Sequence, residues 1–185
     1  MRIISGEHRG RRLVAPPGRE TRPTADRTRQ AIFDVLSHAP WAPPLDGARI
    51  IDLFAGAGAL GIEALSRGGR FCLFVERERG AAAAIETNLQ ALGIGGQARI
   101  LQSDAARLAA NRGAPFDLVF LDPPYGSGLV EPALASLREG GWLEASALVV
   151  AERGIGDGSA PAEAFEPMDV RRWGAAQVSF LRQEI

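Results

Sequence analysis

Residues 48–61, which read ARIIDLFAGAGALG, decide the fold that we predict for this chain. The apolar run at 48–54 is typical of a buried strand, and the glycines after it lead into a helix predicted at 59–67. Glycines at such a turn let the backbone approach a ligand closely, and the start of the helix offers unpaired N–H groups. The stretch therefore predicts a strand–turn–helix unit of an α/β domain with a ligand at the turn.

Apolar runs and amphipathic stretches alternate along the rest of the chain. We predict further strands at 71–75, 98–101, 116–121 and 147–151, and helices at 81–92, 105–111 (a short one) and 129–138. Two last strands, at 170–173 and 177–181, flank a Gly-Ala-Ala turn that permits a hairpin. The alternation predicts a mostly parallel seven-stranded sheet with helices on both faces and an antiparallel last strand.

The first 45 residues follow a different pattern and are predicted to form an extension of the main domain, which spans 46–185. A small hairpin is expected before the break at Pro16-Pro17-Gly18, and a helix from Thr24, as its N-cap, through Leu36. The hairpin offers few apolar residues. We therefore expect the main domain to fold without residues 1–20.

Positive charge is concentrated at the N-terminus. Residues 1–38 hold eight arginines and four acidic residues, a net charge of +4, while the whole chain carries −1 and its remainder therefore −5. Because the chain contains no lysine, the use of arginine carries no information, whereas the asymmetry predicts a polyanionic partner. The arginines expected to contact it are Arg9, Arg11, Arg12 and Arg22.

Several features limit the location and the chemistry of the protein. The single cysteine, Cys72, cannot form an internal disulfide, which is typical of the reducing cytoplasm. No signal peptide is recognised, and the longest apolar runs are too short to cross a bilayer. His8 and His38 lack the spacing of metal ligands. We expect a cytoplasmic monomer that uses neither a membrane nor a metal.

Two carboxylates near the glycine turn predict the cofactor. Glu76 ends the second predicted strand, twenty residues after Gly56, where it can accept hydrogen bonds from ribose hydroxyls. That arrangement also fits a dinucleotide. Asp52, however, would repel a pyrophosphate but suits the cationic sulfonium of S-adenosylmethionine.

The segment Asp122-Pro123-Pro124-Tyr125 follows the fourth predicted strand and predicts the chemistry. The amino group of a base is a poor nucleophile, and two acceptors aimed at its hydrogens favour the geometry that attacks a methyl group. Asp122 supplies a carboxylate and Pro123 a carbonyl, which Pro124 holds extended. Tyr125 supplies a face on which a base can stack.

Together these motifs resemble the class I S-adenosylmethionine-dependent methyltransferases that act on amino nitrogens. Further segments narrow the resemblance to the bacterial small-subunit ribosomal RNA guanine-N2 methyltransferase family, from Arg2 to about Leu181. These segments are RIISG (2–6), RGR (9–11), PG (17–18), TRPT (21–24), DR (26–27), AIF (31–33), DLFAGAG (52–58) and GIEALSRG (61–68). The resemblance implies a Rossmann-like fold, and ribosomal RNA in a small-subunit particle as the partner.

The resemblance also implies residue roles. The cofactor site would comprise Asp52, Phe54, Gly56, Gly58, Glu76, Asp104 and Ala105. Of these, Asp52 and the two glycines would line the methionine end, Glu76 would hold the ribose, and Asp104 with Ala105 would meet the adenine. Asp104 could also cap the helix predicted after it. The family usually has a second glycine in place of Ser5, a difference that could alter the hairpin turn.

Three alternatives stay open. Methylation of adenine N6 or cytosine N4 in DNA or another RNA would use the same tetrapeptide, but we recognise no target-recognition domain of the kind that sequence-specific DNA enzymes need. An NAD-dependent oxidoreductase is disfavoured by Asp52 and by the tetrapeptide. A non-catalytic RNA-binding factor is disfavoured by the intact motifs.

Overall fold

The structure is a computed structural model that describes residues 1–16, 23–157 and 164–184, apart from the side chains of residues 23–25. Its elements, in chain order, are α1 Pro23–His38, β1 Arg49–Leu53, α2 Ala59–Ser66, β2 Phe71–Val75, α3 Arg79–Leu92, β3 Ala98–Leu101, β4 Phe116–Leu121, α4 Val130–Glu139, β5 Leu143–Gly154, β6 Phe165–Trp173 and β7 Ala176–Gln183, with a 3₁₀ turn at Gly95–Gln97.

The seven strands form one sheet in the order β3-β2-β1-β4-β5-β7-β6. The pairs from β3 to β5 are parallel, and β7 is antiparallel to both of its neighbours. This arrangement confirms the predicted Rossmann-like sheet with its antiparallel last strand. The chain changes direction along the sheet between β1 and β4, where ligands of open parallel sheets bind at the carboxyl ends of the strands.

Two local predictions are wrong. No helix forms at 105–111, because polar groups of that segment bond to α4 and the residues after it: Leu108 N–H donates to Ser136 Oγ and Asn111 N–H to the carbonyl of Gly140. Helix α1 begins at Pro23, so Thr24 lies in its first turn and is not the N-cap. Proline suits a first helical turn, where its missing N–H costs no bond.

Each face of the sheet carries its own apolar layer. Helices α1, α2 and α3 pack on one face around the rings of Phe33, Phe74 and Phe120. Helix α4 covers the other face through Ala133, Leu134 and Leu137, which pack with inward residues of β1, β4 and β5. The two layers leave the carboxyl edge of the sheet uncovered.

The N-terminal hairpin packs on the main domain, which counts against the expectation that the domain folds without it. Its two arms meet at a bridge between Arg2 and Arg12, and Ile3 and Leu13 are buried in the layer under α1. The N–H groups of Ile4 and Ser5 donate to the buried carboxylate of Glu63 on α2 at 2.8 and 3.0 Å. The hairpin is therefore bonded to the core.

The turn of this hairpin tolerates serine at position 5. Gly6, not Ser5, has the positive φ of 82° that favours glycine. A Cβ at Gly6 would lie 1.7 Å from the carbonyl oxygen of Ser66. The departure from the family pattern at Ser5 thus leaves the turn intact.

Candidate active site

A cavity of about 710 Å³ opens at the carboxyl edge of the sheet. Of the residues predicted for the site, its wall includes Phe54, Glu76, Ala105, Asp122, Pro123, Pro124 and Tyr125. They come from the ends of β1, β2, β3 and β4, which the parallel topology brings together. The cavity thus joins part of the predicted cofactor site and the tetrapeptide in one place, whereas Asp52, Gly56, Gly58 and Asp104 do not line it.

The glycine turn is bent by three residues in the left-handed region. Phe54, Gly56 and Gly58 have φ values of 58°, 57° and 79°. For a bulky residue such as Phe54 this conformation is strained, and strain of this kind is typical of functional sites. The bend lets α2 begin directly after Gly58 and places Phe54 on the cavity wall.

Asp52 lies in the interior, with 2% of its surface exposed. Its Oδ2 accepts a hydrogen bond of 2.9 Å from the N–H of Gly61 in α2. Burial raises the pKa of Asp52 well above its usual value, and the nearby carboxylates of Asp122 and Glu76 raise it further. A neighbouring cation would therefore stabilise the charged form of Asp52.

Glu76 stabilises the turn while it lines the cavity. One carboxylate oxygen accepts from the N–H of Gly56 at 2.8 Å, and the other accepts from the N–H of Glu78 at 2.8 Å. Each oxygen has a second lone pair for a ligand. Glu76 therefore couples the shape of the glycine turn to whatever binds beside it.

The structure separates Asp104 from Ala105. Ala105 and Ser103, on either side of Asp104, line the cavity, whereas Asp104 turns its carboxylate to the N–H of Ala106 at 3.0 Å. Because no helix follows, the N-cap alternative for Asp104 is wrong. A contact between this segment and an adenine stays a prediction.

The tetrapeptide leaves β4 as an exposed loop. The N–H of Asp122 is 3.5 Å from the carbonyl of Leu53, which joins the ends of β4 and β1. Pro123 is buried, and Tyr125 is 48% exposed. A carboxylate and an aromatic ring therefore stand at the same cavity, open to a planar ligand.

Sequence reasoning missed Glu152, near the end of β5, and Asp157, just after it. Glu152 lines the cavity and accepts a hydrogen bond from the hydroxyl of Tyr125. The pKa of Glu152 is raised above its usual value, because the effect of burial exceeds the lowering effect of the hydrogen bond from Tyr125. Oδ2 of Asp157 accepts from the N–H groups of Gly126 and Gly154, both at 2.9 Å. A signal was present, since Glu152 directly follows the apolar run of the predicted fifth strand.

The predicted RNA-binding arginines differ in availability. Arg9 and Arg12 are exposed on the hairpin. Arg11 is also exposed, but its guanidinium donates to the carbonyl of Ala91 near the end of α3 at 2.8 Å. Arg22 lies outside the described residues. Contact of any of them with RNA stays a prediction.

Neither a metal site nor a membrane span is found in the described part of the chain. It holds no group of three or more His, Cys, Asp or Glu side chains that could bind a metal ion. None of its helices is long and apolar enough to cross a membrane.

Known proteins resemble this chain in sequence and in fold. Residues 1–182 match the model of the family described as conserved hypothetical protein 95. The ribosomal RNA small subunit methyltransferase D of Escherichia coli (strain K12) is 39% identical over 158 residues, 85% of this chain and 77% of its own. A Bacillus subtilis (strain 168) protein, provisionally named rRNA methyltransferase YlbH, is 42% identical over 155 residues, 82% of each chain.

A solved Escherichia coli structure, provisionally named methyltransferase yhhF, has the same fold. It superposes with a TM-score of 0.84 at 34% identity and covers 100% of this chain and 98% of its own. The fold is thus the Rossmann-like fold of class I methyltransferases, as the resemblance implied.

Proposed function

Since this chain belongs to the ribosomal RNA small subunit methyltransferase D family, we propose that it transfers a methyl group from S-adenosylmethionine to the exocyclic N2 of a guanine in small-subunit ribosomal RNA. The observation that carries the proposal is the single cavity that holds Glu76, Asp122 and Tyr125 together.

The residues in and beside the cavity fit S-adenosylmethionine better than a dinucleotide. Glu76 and Asp122 both lie close enough to Asp52 to raise its pKa. A pyrophosphate would add negative charge to this group, whereas a sulfonium offsets it. S-adenosylmethionine, when bound, supplies an electrophilic methyl group on a positively charged sulfur. We assign Asp52, Phe54, Gly56 and Gly58 to its methionine end, Glu76 to its ribose, and Asp104 with Ala105 to its adenine.

Asp122 and its neighbours act on the target amino group. The carboxylate of Asp122 and the carbonyl of Pro123 accept hydrogen bonds from the two N–H groups of the amino nitrogen, which makes the nitrogen lone pair available for attack on the methyl group. The carboxylate also provides a place for the proton that the nitrogen loses. Pro124 has no N–H to compete for these acceptors. Tyr125 stacks on the base, an interaction that contributes about 1–3 kcal/mol.

The choice of guanine follows from the family resemblance. Adenine N6 and cytosine N4 carry amino groups of the same kind, so they are the alternatives. The N-terminal segment, residues 1–45, serves as the RNA-facing extension of the catalytic domain 46–185 in this proposal. We further propose that the protein acts as a monomer and that its substrate is RNA in a small-subunit particle.

The variant Asp122→Ala tests the assignment. We expect turnover to fall by on the order of 10²-fold or more, because one placed acceptor at the reacting centre is lost, while the affinity for S-adenosylmethionine stays near that of the wild type. Methyl incorporation into deproteinised RNA and into assembled small subunits measures turnover, and calorimetry with S-adenosylmethionine and with NAD measures affinity. Glu86→Gln on the exposed face of α3 is the control.

Mass spectrometry of the digested RNA identifies the product. N2-methylguanosine is expected. Detection of N6-methyladenosine or N4-methylcytidine instead would mean that the target is adenine or cytosine and not guanine. An Asp122→Ala protein with wild-type turnover would refute the role of the tetrapeptide. Tight binding of NAD in place of S-adenosylmethionine would favour the oxidoreductase.

A further inference from the structure

The loop that carries Tyr125 is bonded at two points to the end of β5 and the turn that follows it. The phenol hydroxyl donates to Oε1 of Glu152. The N–H of Gly126, the next residue, donates to Oδ2 of Asp157 at 2.9 Å. The same oxygen accepts from the N–H of Gly154 at 2.9 Å, so Asp157 joins the loop to the strand.

Close packing adds to these bonds. A Cβ built on Gly154 would lie 3.2 Å from Cγ of Tyr125 and 3.0 Å from Oδ2 of Asp157. Such distances are tighter than ordinary van der Waals contact. The ring of Tyr125 thus lies against the backbone of Gly154, where a Cβ would require the ring and Asp157 to shift by a few tenths of an ångström.

We propose that the end of β5 and the turn after it form a clamp, made of Glu152, Gly154 and Asp157, that fixes the ring of Tyr125 before the target base arrives. Glu152 and Asp157 are its positioning residues. The inference rests on the proposed function, in which Tyr125 is the stacking face for the base.

The physical reason for a clamp is the exposure of the ring. Tyr125 is 48% exposed and lies in a loop, so its side chain would otherwise rotate among several rotamers. A ring held in one orientation loses less conformational freedom when a base stacks on it. The hydroxyl and the ring have partners on β5, and the following amide has one in the turn directly after it, so both the ring and the loop are held.

Tyr125 is the only tyrosine of the chain, and this permits a direct test without RNA. In protein labelled with ¹³C at tyrosine Cζ, a single resonance reports the bond of the hydroxyl. We expect Glu152→Ala to shift this resonance, Glu152→Gln to shift it less because the amide oxygen still accepts, and Glu86→Gln to leave it in place. An unchanged resonance in Glu152→Ala would overturn the clamp.

Kinetics then test whether Glu152 acts through Tyr125. Tyr125→Phe and Glu152→Ala should each lower kcat/KM for RNA by on the order of tenfold, which corresponds to one lost hydrogen bond, with little change in the affinity for S-adenosylmethionine. The double variant should be no slower than the slower single variant. Losses that multiply would mean that Glu152 acts independently of the hydroxyl, and would overturn the inference.

The other two members of the clamp give further controls. Asp157→Ala should lower kcat/KM and Asp157→Asn should restore most of it, because Asn keeps an acceptor oxygen. Gly154→Ala should displace the ring and thereby shift the Cζ resonance. A Cζ resonance at the wild-type position in this variant would refute the packing argument. If wild-type protein makes no N2-methylguanosine while the resonance behaves as expected, the proposed function fails and the clamp stands.

Discussion

Replacement of Glu63 should unfold the protein at a much lower temperature, because this buried carboxylate joins three segments. It is 0% exposed on α2. Its oxygens accept from the N–H groups of Ile4 and Ser5 in the hairpin and from Nε of Arg67 at 2.8 Å. Nε of Arg29 on α1 lies 3.9 Å away.

The magnitude follows from the groups that Glu63→Ala would leave behind. Removal of one partner of a buried ion pair typically costs about 3–5 kcal/mol. Two hairpin N–H groups would also lose their acceptor, although such costs do not simply add. For a domain of this length, 1 kcal/mol corresponds to a change in Tm of about 2–4 °C, so we expect Tm to fall by roughly 6–20 °C.

Thermal unfolding followed by circular dichroism, without ligand, measures this change. Glu7→Gln, which alters an exposed glutamate of the same hairpin, is the matched control and should stay within about 0.5 kcal/mol of the wild type. A Glu63→Ala protein that unfolds within about 2 °C of the wild type would refute the reasoning. The same contacts imply that deletion of residues 1–20 would damage the core, so RNA binding is better tested with point substitutions.

Three other variants test the site and the basic hairpin. Asp52→Asn should stabilise the ligand-free protein increasingly as pH rises: the raised pKa means that the folded wild type retains a proton that the unfolded chain loses, so its stability falls from the ordinary aspartate pKa up to the raised one. Unfolding across pH checks this, and parallel pH profiles of the two proteins would contradict it. Glu76→Ala should weaken S-adenosylmethionine binding by roughly 1.5–3 kcal/mol per lost charged hydrogen bond, far more than it slows transfer at saturating cofactor. Calorimetry decides, and wild-type affinity would remove Glu76 from the ribose site. Replacement of both Arg9 and Arg12 by Ala should leave Tm unchanged and make the fall of RNA affinity with salt shallower, by about 0.7–0.9 in the log–log slope per phosphate contact. Equal slopes would mean that these arginines do not touch phosphate.

The regular elements of the fold were largely predictable because each has a local signature. The bounds of β2, β3 and β4 match the predicted runs residue by residue. The strands β2 and β4 are largely buried and mostly apolar, which is typical of inner parallel strands, whereas β3 is a partly buried edge strand. Segment 105–111 was predicted wrongly because its structure depends on bonds to Ser136 and Gly140, which lie far away in sequence. Helical periodicity carries no information about such partners.

The candidate site was predictable where residues follow a strand in a recognisable motif, as in the glycine turn and the tetrapeptide. Glu152 and Asp157 belong to no such motif. Their importance arises from the pairing of β5 with β4, which brings the end of β5 beside Tyr125. Burial of Glu63 was likewise invisible in the sequence, because a glutamate in a helix is ordinarily exposed.

The distribution of charge explains how the proposed substrate would divide between two surfaces. Asp52, Glu76, Asp122 and Glu152 come from β1, the end of β2, the end of β4 and β5, so the cavity and the interior beside it are rich in carboxylates. A phosphate entering there would be repelled, whereas an uncharged base and a sulfonium would not. The excess of arginine lies in the first 38 residues instead. Under the proposed function, the RNA backbone therefore stays outside on the basic segment, and only the base turns into the cavity toward Tyr125.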